Sequence, residues 1–472
     1  MELNWHGAAV AKCGAAMRPR YLAMAALCFA WMSSVGRDAR AEGVVPPAIE
    51  LPQSLTLDES LRIFRTRGLD LLIAEAAVRN AEGATKVAGA VPNPAVSASV
   101  GNAFTYSTNS YSLSNCRQNG AECSPWIYSV GITDQAGLED TLSGKRDLRL
   151  KVARNALAAA KMSRVDAERT VGYQVKSAYI QVAQAVLAQK FAKEVADTNA
   201  KTLELFQARF RSGAINEGDL ARIETQKLES DQALDQTAYQ LREARVALAF
   251  LLGARGEVPD FDVDTKVLTY SVPAPLDGAT EDGLLRRAFE HRPDLIALGY
   301  QRASTEAQIA LAKRQRFPDV ALNVTYAWGG YGGLSTNGPI QAPTLTFGVS
   351  APLPVFYQLQ GEVHQAEAQN DAYSLQQAKT TAQVAGDVST GYANFVGAQK
   401  LVLRMESGGL LKSAKTARDI TRLQYEKGAA NLTDFLDAQR TYIATNVEYF
   451  GDLTNYWTAV FQLEQAVGTE LH

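Results

Sequence analysis

Phe210-Arg-Ser-Gly213-Ala-Ile-Asn216-Glu-Gly-Asp219 returns further along the chain as Tyr425-Glu-Lys-Gly428-Ala-Ala-Asn431-Leu-Thr-Asp434. An aromatic residue, a glycine three on, then Asn and Asp recur at the same offsets. Each copy lies between two proline-free stretches with helical periodicity. The chain is therefore an internal duplication, and the repeated element is a tight turn joining two helices.

Proline placement extends that reading in both directions. No proline occurs between Pro125 and Pro259, and none after Pro354. Because proline disrupts helix interiors, these gaps are where long helices can run. Apolar residues at three and four spacing, as in Val175, Tyr179, Val182 and Val186, predict one long helix over 145–211 and a second over 362–426. Shorter helices are expected after each turn, at about 219–252 and 434–467, and ahead of each strand pair, at about 54–91 and 280–316. A segment over 253–279 with Pro259, Pro273 and Pro275 reads as an irregular connector. The repeats then span 42–252 and 280–472.

Between first helix and long helix, each repeat alternates with period two. Strands are predicted at about 95–107, 125–134, 319–331 and 342–352. Val96, Ala98 and Val100 alternate with Ser97, Ser99 and Gly101; Leu345, Phe347 and Val349 alternate with Thr344, Thr346 and Gly348. An apolar face backed by Ser, Thr, Gly and Asn suits a barrel with lipid outside and water inside. Any one of these strands also fits a soluble sandwich. Four strands cannot close a barrel, and an open edge in lipid leaves backbone groups unpaired, so the barrel must be shared between subunits.

The first forty residues fit that destination. Arg18 and Arg20 precede an apolar run from Tyr21 to Val35, and Ala39-Arg40-Ala41 offers a small-x-small cleavage pattern, which predicts a signal peptide over 1–41. The alternative, a membrane anchor, needs about 20 apolar residues. Formal net charge is -3, so no polybasic surface points to nucleic acid. Only four histidines occur, and no nucleophile–base set, HExxH or CxxC cluster is present. The sequence predicts no enzyme, no cofactor and no metal site. Cys116 and Cys123, in the loop between the first two strands of an exported protein, read as a local disulfide. Gly329-Gly-Tyr-Gly-Gly333 lacks the Lys-Ser/Thr ending of a phosphate loop and reads as a hairpin tip.

With both turn motifs, the strand exit Ala351-Pro-Leu-Pro-Val-Phe356 and the following Gly361-Glu-Val-His-Gln-Ala-Glu367, the chain resembles the TolC-like outer-membrane efflux proteins over nearly all of its mature length. His291-Arg-Pro-Asp-Leu295, Phe317-Pro-Asp-Val320 and Ser143-Gly-Lys-Arg146 look most like the heavy-metal, CzcC-like branch. The second-strand exit, Gln135-Ala-Gly-Leu-Glu-Asp140, departs from that branch. The resemblance implies a mainly α protein with a membrane β-barrel. Its four strands per chain would join a twelve-strand barrel, shared by a homotrimer, on a long periplasmic helical tunnel. It implies a periplasmic adaptor (membrane fusion protein) and an inner-membrane pump of the RND type as partners, and outer-membrane lipid around the barrel. The function implied is a passive exit duct. A type I protein-secretion exit component shares the fold; an exported coiled-coil stalk would explain the helices but not the strands.

Carried over by position, the residues narrowing the periplasmic mouth are Asp219, Tyr425, Asp434 and Asp437. The turn residues Gly213, Asn216, Gly428 and Asn431 mark where an adaptor would dock. Asp219 and Asp434 also sit three residues after an N-cap asparagine, where an acid complements the helix dipole. Asp437 has no capping role, lies one turn further on the same face, and would add a second ring of carboxylates in a trimer. Arg222 occupies the position equivalent to Asp437 in the first repeat, which suggests a cross-helix Arg222–Asp437 salt bridge.

Overall fold

Most helix boundaries among the described residues fall within two residues of a glycine or proline. A computed structural model of the protein describes residues 51–102, 126–329, 334–335, 338–339 and 343–471. The leader over 1–41, Cys116, Cys123 and residues 330–333 of the glycine-rich stretch lie outside the described residues. The first repeat contains β1 (Ser54–Leu55), α1 (Leu57–Arg67), α2 (Leu69–Gly89), β2 (Ala95–Asn102), β3 (Trp126–Thr133), α3 (Gly137–Leu142), α4 (Lys145–Arg211) and α5 (Glu217–Leu251). The connector holds β4 (Asp262–Val263) and two single 3-10 turns. The second repeat contains α6 (Glu281–His291), α7 (Pro293–Arg314), β5 (Ala321–Gly329), β6 (Leu334–Ser335), β7 (Gly338–Pro339), β8 (Thr344–Ser350), α8 (Gln360–Glu406), α9 (Leu410–Glu426) and α10 (Leu432–Val467).

Three helices expected to be continuous are broken. The stretch over 362–426 is two helices, α8 and α9, because Gly409 adopts a left-handed φ of 74°. That conformation costs glycine little and stops an α-helix. The stretch over 54–91 divides at Gly68, where an added Cβ would lie 2.5 Å from the Phe64 ring. The stretch over 280–316 divides at Arg292, the residue before Pro293, which is biased away from helical dihedrals. Both repeats open on a threonine cap: Thr56 accepts from the Glu59 backbone at 3.2 Å, and Thr280 from that of Gly283 at 3.3 Å.

The main sheet runs β2-β3-β5-β8, antiparallel throughout. Its register carries Val96, Ile132, Val324 and Phe347 along one row, and Ala98, Val130, Tyr326 and Leu345 along the next. The opposite face carries Ser99, Ser129, Ala327 and Thr344, with the Ser99 and Ser129 hydroxyls 2.8 Å apart. Gly131 and Gly348 leave room on this polar face, since a Cβ at Gly348 would meet the Asn323 amide at 2.4 Å. One largely apolar face backed by a small, mostly polar one is the two-solvent pattern of a lipid-embedded barrel wall. The outer edges of β2 and β8 pair with no strand among the described residues.

Helices α2, α4, α7 and α8 lie side by side beneath the sheet, and the main core gathers where α1 and α10 meet the middle of α4 and where α6 and α8 pack on α10. Val175, Tyr179 and Val182 of α4 are fully buried there with Val384 and Val388 of α8 and Tyr456 and Val460 of α10. The Tyr179 hydroxyl donates to the Leu55 carbonyl at 2.9 Å and accepts from the Asp264 backbone at 3.0 Å, tying the β1–β4 bridge to α4. Burial pushes its hydroxyl up to about 12.

Two of the motifs that carried the resemblance turn out to join the repeats. Lys145, with its side chain 4% exposed, donates to the Phe317 carbonyl at 2.7 Å and to Asp319 Oδ1 at 2.5 Å. The Ser143–Arg146 and Phe317–Val320 motifs thus meet where strands pass into helices. The buried Arg292 guanidinium donates to Asp294 at 2.7 and 3.1 Å, to Asp387 at 3.0 Å and to the Ala466 carbonyl at 3.3 Å. Burial alone would raise the Asp294 carboxyl; the hydrogen bonds and charge of Arg292 more than offset this and hold it below the usual range.

Candidate functional site

The two turns share the same backbone closure and the same cap hydrogen bond. At the first, the Gly213 backbone donates to the Phe210 carbonyl at 2.9 Å and Ala214 to Arg209 at 2.9 Å; at the second, Gly428 donates to Tyr425 at 3.0 Å and Ala429 to Gln424 at 2.8 Å. With φ of 73° and 74° at Gly213 and Gly428, both are Schellman closures, which satisfy the last carbonyls of the incoming helix. The outgoing helix is then capped by asparagine. Asn216 accepts from the Asp219 backbone at 2.8 Å, and Asn431 from that of Asp434 at 2.8 Å. The motif residues Gly213, Asn216, Gly428 and Asn431 therefore build the turn.

The structure also brings the two tips together. Phe206, Ile223, Leu432, Phe435 and Leu436 form a core of their own, separate from the main one. Tyr425 stacks between Phe206 (centroids 5.6 Å apart, planes at 8°) and Phe435 (6.0 Å, 13°), while the Arg209 guanidinium lies 5.8 Å from its ring centre. Burial raises the Tyr425 hydroxyl pKa, against an opposing pull from Arg209. Tyr425 is thus a clasp between repeats, whereas its counterpart Phe210 is 40% exposed.

The acidic residues divide by environment. Asp219 is partly buried beside its cap and lies 3.6 Å from Arg222, one turn on in the same helix. Asp434 and Asp437 are both exposed on α10. The expected Arg222–Asp437 bridge does not form within the chain: Arg222 takes Asp219 instead, and Asp437 has no ion-pair partner among the described residues. Helix spacing on either side of a turn says nothing about which way two long side chains reach, so the sequence could not choose between these partners. It also missed Phe206 and Arg209, and a buried amide group in which Gln439 donates to Asn199 Oδ1 at 2.7 Å across the repeats. No local pattern marks residues 240 positions apart as partners. Phe206, one turn before Phe210, was detectable as a second aromatic on the same helix.

No group of three or more His, Cys, Asp or Glu able to hold a metal ion occurs among the described residues. No helix among them is long and apolar enough to cross a membrane. The sheet with its two-faced register is what can meet lipid. A model of the outer membrane efflux proteins matches this chain twice, over residues 63–254 and 284–469, one match to each repeat. The chain belongs to the outer membrane efflux protein family. It is accordingly an outer-membrane channel protein extending into the periplasm, and not an enzyme. It is 22% identical over 419 residues to the cobalt-zinc-cadmium resistance protein CzcC of Cupriavidus metallidurans, covering 88% of this chain and 90% of that one. It is 24% identical over 390 residues to the pyoverdine export outer membrane protein OpmQ of Pseudomonas aeruginosa, covering 82% of this chain and 80% of that one. Among solved structures, the outer membrane protein VceC of Vibrio cholerae aligns with a TM-score of 0.67 at 20% identity, covering 88% of this chain and 97% of that chain. The channel protein CusC aligns with a TM-score of 0.69 at 17% identity, covering 91% of this chain and 98% of that chain.

Proposed function

We propose that this efflux channel is the exit duct of a tripartite pump, taking cargo passively from an inner-membrane pump of the RND type and a periplasmic adaptor. Three chains would contribute four strands each to a twelve-strand barrel, and the paired tips would form its periplasmic mouth and adaptor contact. The observation that carries this is the sheet: apolar on one face, Ser, Thr, Gly and Asn on the other, with β2 and β8 unpaired along their outer edges. An unpaired edge in hydrocarbon leaves backbone groups without partners, so the sheet needs further copies of itself. Heavy-metal cations are the cargo we favour. Exposed Asp434 and Asp437, repeated in a trimer, would present stacked carboxylates attractive to cations, and CzcC carries metal resistance in its name. Native mass measurement of the mature protein in detergent should give a trimer. A stable, folded, detergent-solubilised monomer would contradict the shared barrel.

A further inference from the structure

The polar face of the main sheet is uncharged as well as polar. Its register stacks Ala95, Thr133, Asn323 and Gly348 in one row, and Ser97, Gly131, Thr325 and Thr346 in the next. No Asp, Glu, Lys, Arg or His occurs anywhere in β2, β3, β5 or β8. The nearest acids, Asp134 and Asp319, lie just outside the strand ends and are already engaged. Asp134 accepts from the Gly137 and Leu138 backbones, each at 3.2 Å, and Asp319 accepts from Lys145. The polar side chains also lie along the wall instead of standing off it. Ser97 Oγ and Thr325 Oγ1 lean in over Gly131, within 2.9 and 3.0 Å of where its Cβ would stand, and the Asn323 amide covers Gly348.

In the two central strands this small polar face is the sheltered one. Ser129, Thr133, Asn323 and Thr325 are partly covered, while Tyr128, Ile132, Val324 and Tyr326 on the other face are exposed. That is the reverse of a soluble sheet and the arrangement of a wall curved around a wet lumen. Such a wall has nothing with which to tell charges apart. A hydroxyl or an amide donates toward an anion and accepts toward a cation equally readily. Charge selection needs rings of charged side chains. The acidic residues proposed for the mouth, Asp434 and Asp437, lie beside the far end of α4, whose 67 residues span about 100 Å at 1.5 Å each. With a screening length of about 8 Å at physiological ionic strength, their field dies away long before it reaches the sheet.

We infer that the duct has two sections of different selectivity: a membrane wall that passes hydrated cations, hydrated anions and small neutral polar solutes alike, and an acidic periplasmic mouth that makes the whole of the choice. Selection is thus complete about 100 Å before the membrane, in the barrel and mouth proposed above, on which this rests. Cargo that has cleared the mouth meets no charged ring in the wall to hold it back.

Thiol reagents of opposite charge read the local potential and so test this division. In the mature chain with Cys116 and Cys123 replaced by serine, single cysteines are placed by Thr346→Cys on the wall, Phe347→Cys on the lipid face, and Thr433→Cys beside Asp434 and Asp437. Each variant, in non-ionic detergent, is reacted with a cationic (trimethylammonium-ethyl) and an anionic (sulfonatoethyl) methanethiosulfonate. The ratio of the two rates is then compared with that of free cysteine. At Thr346→Cys it should lie within about twofold of free cysteine. At Thr433→Cys it should favour the cation by about fivefold or more, as a potential of about one kT gives when it acts with opposite sign on the two reagents. Thr325→Asp, beside Thr346 in the register, should raise the wall ratio toward that of the mouth. A parent wall ratio biased as strongly as the mouth's, a wall ratio that Thr325→Asp leaves unmoved, or an unbiased ratio at Thr433→Cys would overturn the division. Reaction at Phe347→Cys with protection at Thr346→Cys would instead reverse the two faces of the sheet and strike down the barrel reading beneath it.

Discussion

The two long arms of this molecule began as the same sequence and are now packed differently. Arm one, α4, runs unbroken from Lys145 to Arg211 and ends in Phe206, which is 1% exposed at the centre of the tip core. Arm two is divided at Gly408–Gly409, and at the position equivalent to Phe206 it carries Thr421, whose hydroxyl is satisfied within its own helix by the Ala417 carbonyl at 2.8 Å. The turns below both arms keep identical closures. What stayed constant is the local chemistry that makes a turn. What diverged is how firmly each arm is bound to its surroundings, which packing decides and turn sequence does not.

The largest expected difference lies at the tip core. Phe206→Ala removes a fully buried ring and should cost about 3–5 kcal/mol, whereas Thr421→Ala, at the matching place, should stay within about 0.5 kcal/mol. Denaturant titration or limited proteolysis at the tips would show whether the two arms differ this far; comparable losses would dissolve the distinction. Next come the caps, where the repeats should behave nearly alike. Asn216→Ala and Asn431→Ala should each cost about 1 kcal/mol, since each removes a 2.8 Å acceptor from a helix start, with Asn216→Ala the slightly costlier because its amide also donates to Asp219 Oδ2 at 3.0 Å. A larger cost at Asn431 would mean that the second turn has a task beyond closing its hairpin. The smallest effect is expected at the top of the arms. There Gly144 (φ 75°) precedes α4 and Leu359 (φ 59°) precedes α8. A leucine in the left-handed region is strained by about 1–2 kcal/mol, part of which glycine's unfolded-state entropy cancels. Leu359→Gly should therefore raise the melting temperature slightly, and Gly144→Leu should lower it.

These comparisons also mark what the sequence could convey. The duplication, the four strands and the two faces of the sheet were legible because each rests on a short period: Val96, Ala98 and Val100 alternate with Ser97, Ser99 and Gly101, and the observed register aligns those sets across β2 and β3. The breaks at Gly68 and Gly408–Gly409 were not legible. Proline forbids a helix interior, whereas glycine only weakens one by about 1 kcal/mol, so a long apolar period reads straight through it. Of the candidate site, the turns and their caps were local and readable. The Tyr425 clasp with Phe206 and the choice of Asp219 over Asp437 by Arg222 depend on how separate helices are brought together.

Asp437 gives the most direct test of the channel and its acidic mouth, because it is exposed on α10, caps nothing and pairs with nothing among the described residues. The measurement is the reversal potential of the mature protein in planar lipid bilayers under a salt gradient, compared with that of Asp437→Ala. The account predicts discrete conducting steps with a preference for cations, and a weaker preference in the variant with folding unchanged. An absence of conducting steps would contradict the channel itself. An identical reversal potential in parent and variant would show that Asp437 is an ordinary surface acid and that the mouth lies elsewhere.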